Sequence, residues 1–129
     1  MADALEGLGP GTDELEDLLA VALEAAEAGA QVLRGRDTAQ LHAVNKSSEG
    51  DWVTAFDVAA EDAVSEVLRG ARPYDAITGE ESGTYVPGQR SGVRWSVDPL
   101  DGTTNFIRDI VYYSTSVAAC DEHGNWLVG

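Results

Sequence analysis

The order of hydrophobic patterns constrains this chain most: two helix-length amphipathic stretches come first, and strand-length runs follow. In the first stretch Leu15, Leu18, Leu19, Ala22, Ala26, Ala30 and Leu33 recur at helical spacing. Thr12 reads as its N-cap, and Asp13, Glu14, Glu16 and Asp17 suit the positive end of the helix dipole. Arg34, Gly35 and Arg36 mark its stop. A second helix is expected from about Ala55 to Arg69, with Phe56, Ala60, Ala63, Val64, Val67 and Leu68 as its apolar stripe. Thr54 and Asp57 resemble a capping box at its start, Lys46 to Asp51 reads as a loop, and Gly70 ends the helix. Short strands are expected at 75–78 and 93–97 and a longer one at 111–119. A turn at Asp121-Glu122-His123-Gly124 then leads into a last strand at 125–128, a hairpin. Residues 1–11 are Gly-rich, contain Pro10 and read as a flexible lead-in. The class is therefore α+β, with helices segregated to one face of a mainly antiparallel sheet.

Composition narrows the partners. The 129 residues make one domain or part of one, and 8 Lys and Arg against 23 Asp and Glu give a net charge of −15. Such a chain lacks the basic face that a nucleic-acid polymer or an anionic membrane surface requires. A hydrophobic content of 43% excludes a disordered acidic tail. No apolar run approaches the roughly 18 residues of a membrane span, and the acidic N-terminus lacks a signal peptide's basic region. A lone Cys120 fits a reducing compartment and reads as a small core residue, so a cytoplasmic location is expected. Trp52 and Trp95 read as core anchors, and His42 and His123 have no metal-ligand spacing.

Most of the acids fall on the helical stretches, where the ordinary fate of a charge run is a solvated face. Several later ones sit among Gly, Pro and apolar residues instead. The most informative run is Trp95-Ser96-Val97-Asp98-Pro99-Leu100-Asp101-Gly102-Thr103-Thr104-Asn105-Phe106. It begins as a strand and is expected to break at Pro99, so that Asp98 and Asp101 project from a rigid loop. Gly102 permits a sharp turn, while Thr103, Thr104 and Asn105 offer donors for an anion. Upstream, Ile77-Thr78-Gly79-Glu80-Glu81-Ser82-Gly83 has the same grammar: a short strand, a glycine, then carboxylates. Two strand ends that offer acids can converge on a hard cation such as Mg²⁺, which takes oxygen ligands. A metal beside anion donors points to phosphoryl chemistry. Taken singly, each group also has a plainer role. Glu80 and Glu81 fit a solvated turn, Asp-Pro and Asp-Gly are common turn dipeptides, Asp57 fits a cap and Lys46 a surface lysine.

At these residues the sequence resembles the inositol monophosphatase family, Mg²⁺-dependent and lithium-sensitive phosphatases. The run from Trp95 to Phe106 matches the family's W-x-x-D-P-[LI]-D-G-T-x-N-F signature. Gly79-Glu80-Glu81-Ser82 matches its G-E-E-S element, and Lys46, Gly50, Asp51, Val53, Thr54 and Asp57 match an earlier K-x-x-x-G-D-x-V-T-x-x-D element. The resemblance implies that Glu80, Asp98 and Asp101 are metal-ligand carboxylates, with the Leu100 carbonyl as a further ligand, for two or three Mg²⁺ ions. It implies that Gly102, Thr103 and Thr104 bind the substrate phosphate. Asp57 and Thr103, with Glu80, would orient a metal-activated water for attack on phosphorus, and Lys46 would balance nearby charge. The implied activity is hydrolysis of a small phosphorylated alcohol of the inositol phosphate kind. Histidinol phosphate, fructose 1,6-bisphosphate and adenosine 3′,5′-bisphosphate are the alternative substrates. A catalytically silent remnant that binds only a metal or a partner chain is the alternative of another class. For a full-length member a homodimer is implied, and the implied fold is a layered αβαβα sandwich.

The resemblance covers residues 12–129 as the N-terminal half of such a domain. The family's later W-D-x-A-x-G element, which supplies another metal ligand, has no match in this sequence. The expectation is a truncated product or fragment that binds Mg²⁺ weakly and turns over slowly.

Overall fold

The computed structural model describes residues 11–35, 49–80, 83–102 and 114–129, with the backbone alone for 49–54. Two 23-residue helices open it: α1, Thr12–Arg34, and α2, Glu49–Ala71. Five strands follow: β1 (Ala76–Gly79), β2 (Gly83–Tyr85), β3 (Arg94–Asp101), β4 (Ser114–Cys120) and β5 (Trp126–Val128).

Helix α1 spans the stretch expected from its apolar spacing, but its cap differs. Gly11, in extended conformation, is the N-cap and Thr12 is the first helical residue, without a side-chain capping bond. The dipole is met by Asp13 and Glu14 in the first turn and Arg34 in the last. Gly35 closes the helix by donating its N–H to the Gln31 carbonyl at 3.1 Å. Helix α2 corrects the reading of 49–51 as part of a loop, since it begins at Glu49, six residues before the expected Ala55; residues 46–48 of that loop lie outside the described residues. Thr54 and Asp57 therefore lie within the helix and make no capping box. Once a helix is nucleated each added residue gains a hydrogen bond, and the one weak former nearby, Gly50, falls in the first turn, where its cost is least.

The strands form one sheet in the order β2-β1-β3-β4-β5. Three of its four pairings are antiparallel, and β1 with β3 is parallel. The sheet is thus mostly antiparallel, and the β4–β5 hairpin expected from sequence is present. Strand β2 was not expected: Gly83, Thr84 and Tyr85 are all exposed and carry no alternation to read. Strand β3 corrects the expected break at Pro99, because it continues through Pro99 to Asp101. The β3–β4 register shifts between Asp98 and Asp101, and a bulge is where a strand tolerates a residue without an N–H.

Both helices bury one stripe against one face of this sheet. Leu18, Ala22 and Ala25 of α1 and Val64 and Leu68 of α2 meet Ile77, Trp95, Val97, Val117 and Ala119. Trp95 is fully buried, as expected of an anchor, and its indole Nε1 donates to Asp75 at 2.8 Å. Cys120 is buried as a core residue. A second cluster, Leu33, Ala60 and Leu100, closes the end of the core towards the bulge. Trp52 belongs to the segment described by backbone alone, and the first three residues of the expected strand 111–119 lie outside the described residues, as do His42 and the lead-in 1–10.

Candidate functional site

The topology brings the acids of two separate sequence motifs to one place. Strands β1 and β3 run parallel and are hydrogen-bonded neighbours, and Gly79 pairs with Val97. The next residues along the two chains are Glu80 and Asp98, so two carboxylates follow the same register position on adjacent strands. The carboxyl ends of parallel strands are where open sheets that carry helices offer ligand sites.

The bulge adds the third acid. In a regular strand, residues three apart point to opposite faces. Here Asp98 pairs with Ser116 and Asp101 with Ser114, so that Pro99 and Leu100 of β3 oppose Thr115 alone of β4. Cross-strand partners share a face, so the extra residue turns Asp98 and Asp101 to the same side. Leu100, between them, is buried in the cluster with Ala60 and Leu33. The Thr115 hydroxyl donates to the Pro99 carbonyl at 2.9 Å and so supplies a partner at the bulge. Gly102 follows the end of β3 with φ 90°, a left-handed conformation that favours glycine.

Asp57 lies on α2, where it is partly buried. One turn later Glu61 is 1% exposed and packs against Gly79. The sequence reading did not single out Glu61, since acids on a helix are ordinarily solvated. A signal was present, because Glu61 keeps helical step with Val64 and Leu68 of the buried stripe.

Asp98 is partly buried, and its Oδ1 is enclosed with no hydrogen-bond partner among the described residues. An unpaired buried carboxylate oxygen carries a desolvation cost of about 1–3 kcal/mol or more, which a cation would remove. The available donors are hard oxygens, which fits Mg²⁺ rather than a thiophilic metal. Among the described residues no three His, Cys, Asp or Glu side chains converge closely enough to hold an ion as they stand. Glu80 is exposed and Asp101 is exposed at the strand end. Lys46, Thr103 and Thr104, and also Glu81 and Ser82, lie outside the described residues.

The model of the inositol monophosphatase family matches residues 14–129. The chain belongs to that family. The curated protein Nus factor SuhB of Pseudomonas aeruginosa is 39% identical over 107 residues, which are 81% of this chain and 39% of that protein. Nus factor SuhB of Escherichia coli K12 is 34% identical over 105 residues, with the same two shares. Among solved structures, the inositol monophosphatase of Anabaena superposes with a TM-score of 0.66 at 34% identity over 84% of this chain and 37% of that one. Mycobacterium tuberculosis SuhB gives 0.60 at 33% identity, over 81% and 35%. The chain spans about two fifths of the length of the curated relatives it matches. No helix among the described residues is long and apolar enough to cross a membrane.

Proposed function

We propose that this chain carries the metal-binding strand ends of a Mg²⁺-dependent phosphomonoester hydrolase that acts on a small phosphorylated alcohol. The observation that carries this reading is the register: Glu80 and Asp98 leave adjacent parallel strands one residue past the Gly79–Val97 pair, and the bulge turns Asp101 to the side of Asp98. Bound there, Mg²⁺ supplies Lewis acidity towards phosphate oxygens and lowers the pKa of water.

The chain's own residues do the rest. Glu80, Asp98 and Asp101 hold the cation, and the Leu100 carbonyl is the neutral ligand beside them. Gly102 takes a left-handed turn that brings its backbone close to an anion without a side chain in the way. Thr103 and Thr104 follow as phosphate donors, and Asp57 and Thr103 with Glu80 orient the attacking water. Lys46 balances charge in a site otherwise rich in carboxylates. An inositol phosphate is the first substrate to try, with histidinol phosphate, fructose 1,6-bisphosphate and adenosine 3′,5′-bisphosphate beside it. The setting is the cytoplasm, and the assembled enzyme is a homodimer.

The test is phosphate release from inositol 1-phosphate by the 129-residue chain with and without Mg²⁺, together with calorimetric titration of Mg²⁺. Weak binding and slow, Mg²⁺-dependent, lithium-inhibited release are expected, and Asp98→Asn abolishes both. Release that ignores Mg²⁺, or full binding by Asp98→Asn, would remove the metal role.

A second reading draws on the relatives' names, since the two curated relatives are called Nus factors. Under it the chain acts by binding a partner, and Asp98→Asn leaves that binding unchanged.

A further inference from the structure

One buried carboxylate has no part in the proposed chemistry. Every other glutamate side chain described in the structure is exposed, whereas Glu61 is 1% exposed within the buried stripe of α2. Burial of a carboxylate is costly unless polar groups meet it, so its place is set by more than apolar packing.

The position of its carboxylate is specific. A Cβ built on Gly79 would collide with both oxygens and with the Cδ of Glu61. Gly79 is absent from the left-handed glycines, which are Gly83, Gly92, Gly102 and Gly124. Its backbone is not left-handed, so what a larger residue would meet there is the carboxylate end of Glu61, which fills the room that glycine leaves. Gly79 is also the last residue of β1 and pairs with Gly83 on one side and Val97 on the other. It is therefore the pivot from which Glu80 leaves the sheet.

We propose that Glu61 is a positioning residue for the divalent-cation site: its buried carboxylate seats the backbone of Gly79 and thereby fixes where Glu80 emerges beside Asp98. The proposal rests on the metal-dependent reading above. Nothing in it requires Glu61 to touch the ion or the substrate; it acts through the strand end.

The experiment uses Mn²⁺ as the probe and calorimetry to measure its affinity for the 129-residue chain. Circular-dichroism melts without metal follow the fold of each variant. Glu61→Gln keeps the side chain's size but replaces one acceptor with a donor, and is expected to weaken Mn²⁺ binding severalfold. Gly79→Ala drives a methyl into the carboxylate and is expected to weaken it about tenfold. In the Gly79→Ala background, Glu61→Asp withdraws the carboxylate by one methylene and is expected to restore most of the affinity. A residue with a merely structural role would show no such rescue.

Parent-like affinity in Glu61→Gln and Gly79→Ala overturns the proposal and leaves the metal site standing. Failure of Glu61→Asp to rescue a folded Gly79→Ala also overturns it. If Gly79→Ala does not fold, Glu61→Gln decides, and unchanged affinity counts against the seat. A parent chain that binds no Mn²⁺ removes the metal-dependent reading and this proposal with it.

Discussion

At the scale of single residues, the structure separates a buried acid held by several donors from one whose buried oxygen has none among the described residues. Asp75 is the first kind. It is 2% exposed and accepts from Trp95 Nε1 at 2.8 Å, Ser91 Oγ at 2.6 Å and Arg72 Nε at 2.7 Å. Arg72 is itself a quarter exposed, so the carboxylate is the desolvated half of this ion pair. Removal of one partner of a buried pair strands the other groups. Asp75→Ala is expected to cost about 3 kcal/mol, read as a lower urea midpoint. Asp75→Asn keeps one acceptor oxygen and should cost less. Asp98 differs in kind, because its buried Oδ1 has no such partner among the described residues. The Asp-Pro-Leu-Asp-Gly run marked the place in the sequence, but it read as a broken strand, and only the pairing with β4 shows a strand with a bulge. Asp75 was legible only as the first residue of a strand, because its donors come from residues up to 20 positions away.

At the scale of elements, close approach decides what a glycine does. A Cβ on Gly29 of α1 would lie 2.7 Å from Val64 Cγ2 and 3.0 Å from Thr115 Cγ2, so α1, α2 and β4 meet there without room for a methyl. Gly70, near the end of α2, has nothing within 4 Å. Alanine relieves a helix of about 0.5–1 kcal/mol of chain entropy at either site, whereas overpacking at a stiff, buried Val64 costs about 1–3 kcal/mol. Gly29→Ala should therefore lower the melting temperature and Gly70→Ala should raise it. Equal shifts in a thermal scan would mean that the helices can part at no cost.

The β4–β5 turn gives a pH prediction. Asp121 accepts from the backbone N–H groups of Asn125 and His123, each at 2.9 Å, and from Asn125 Nδ2 at 3.1 Å. The Asn125 N–H chiefly holds its carboxyl below the usual aspartate range. With a folded value below the unfolded one, this carboxylate supports the hairpin above the unfolded value. The support fades as pH falls through the folded value. An NMR titration of the Asp121 carboxyl should find a depressed midpoint, and Asp121→Asn should remove the part of the pH dependence at the His123 and Asn125 amides that follows that midpoint.

The helices and the hairpin were readable because their signals are local: spacing, end charges and a four-residue turn. The start of α2, strand β2 and the passage of β3 through Pro99 were not. Each depends on a neighbour, whether on continued helix growth, on an edge pairing with β1 or on a bulge against β4.

For the whole molecule, the net charge of −15 has a consequence that depends on the ion. Under the metal-dependent reading Glu80, Asp98 and Asp101 draw together at neighbouring strand ends, and without metal like charges brought together disfavour the compact state. Loss of one of them by Asp98→Asn should leave the metal-free melting temperature equal to or above that of the parent. On the same reading, added metal is expected to invert the order. A ligand that binds only the folded chain stabilises it by RT ln(1 + [L]/Kd), roughly 2.7 kcal/mol at one hundred times Kd. The parent should gain stability steadily with Mg²⁺, while Asp98→Asn should not respond, so the two melting curves cross as Mg²⁺ is raised. A crossing is hard to obtain from a general salt effect, which screens both proteins alike, and a NaCl series at matched ionic strength supplies the comparison. If Asp98→Asn is instead less stable at every Mg²⁺ concentration, its buried oxygen works for the fold and the strand ends do not hold the cation.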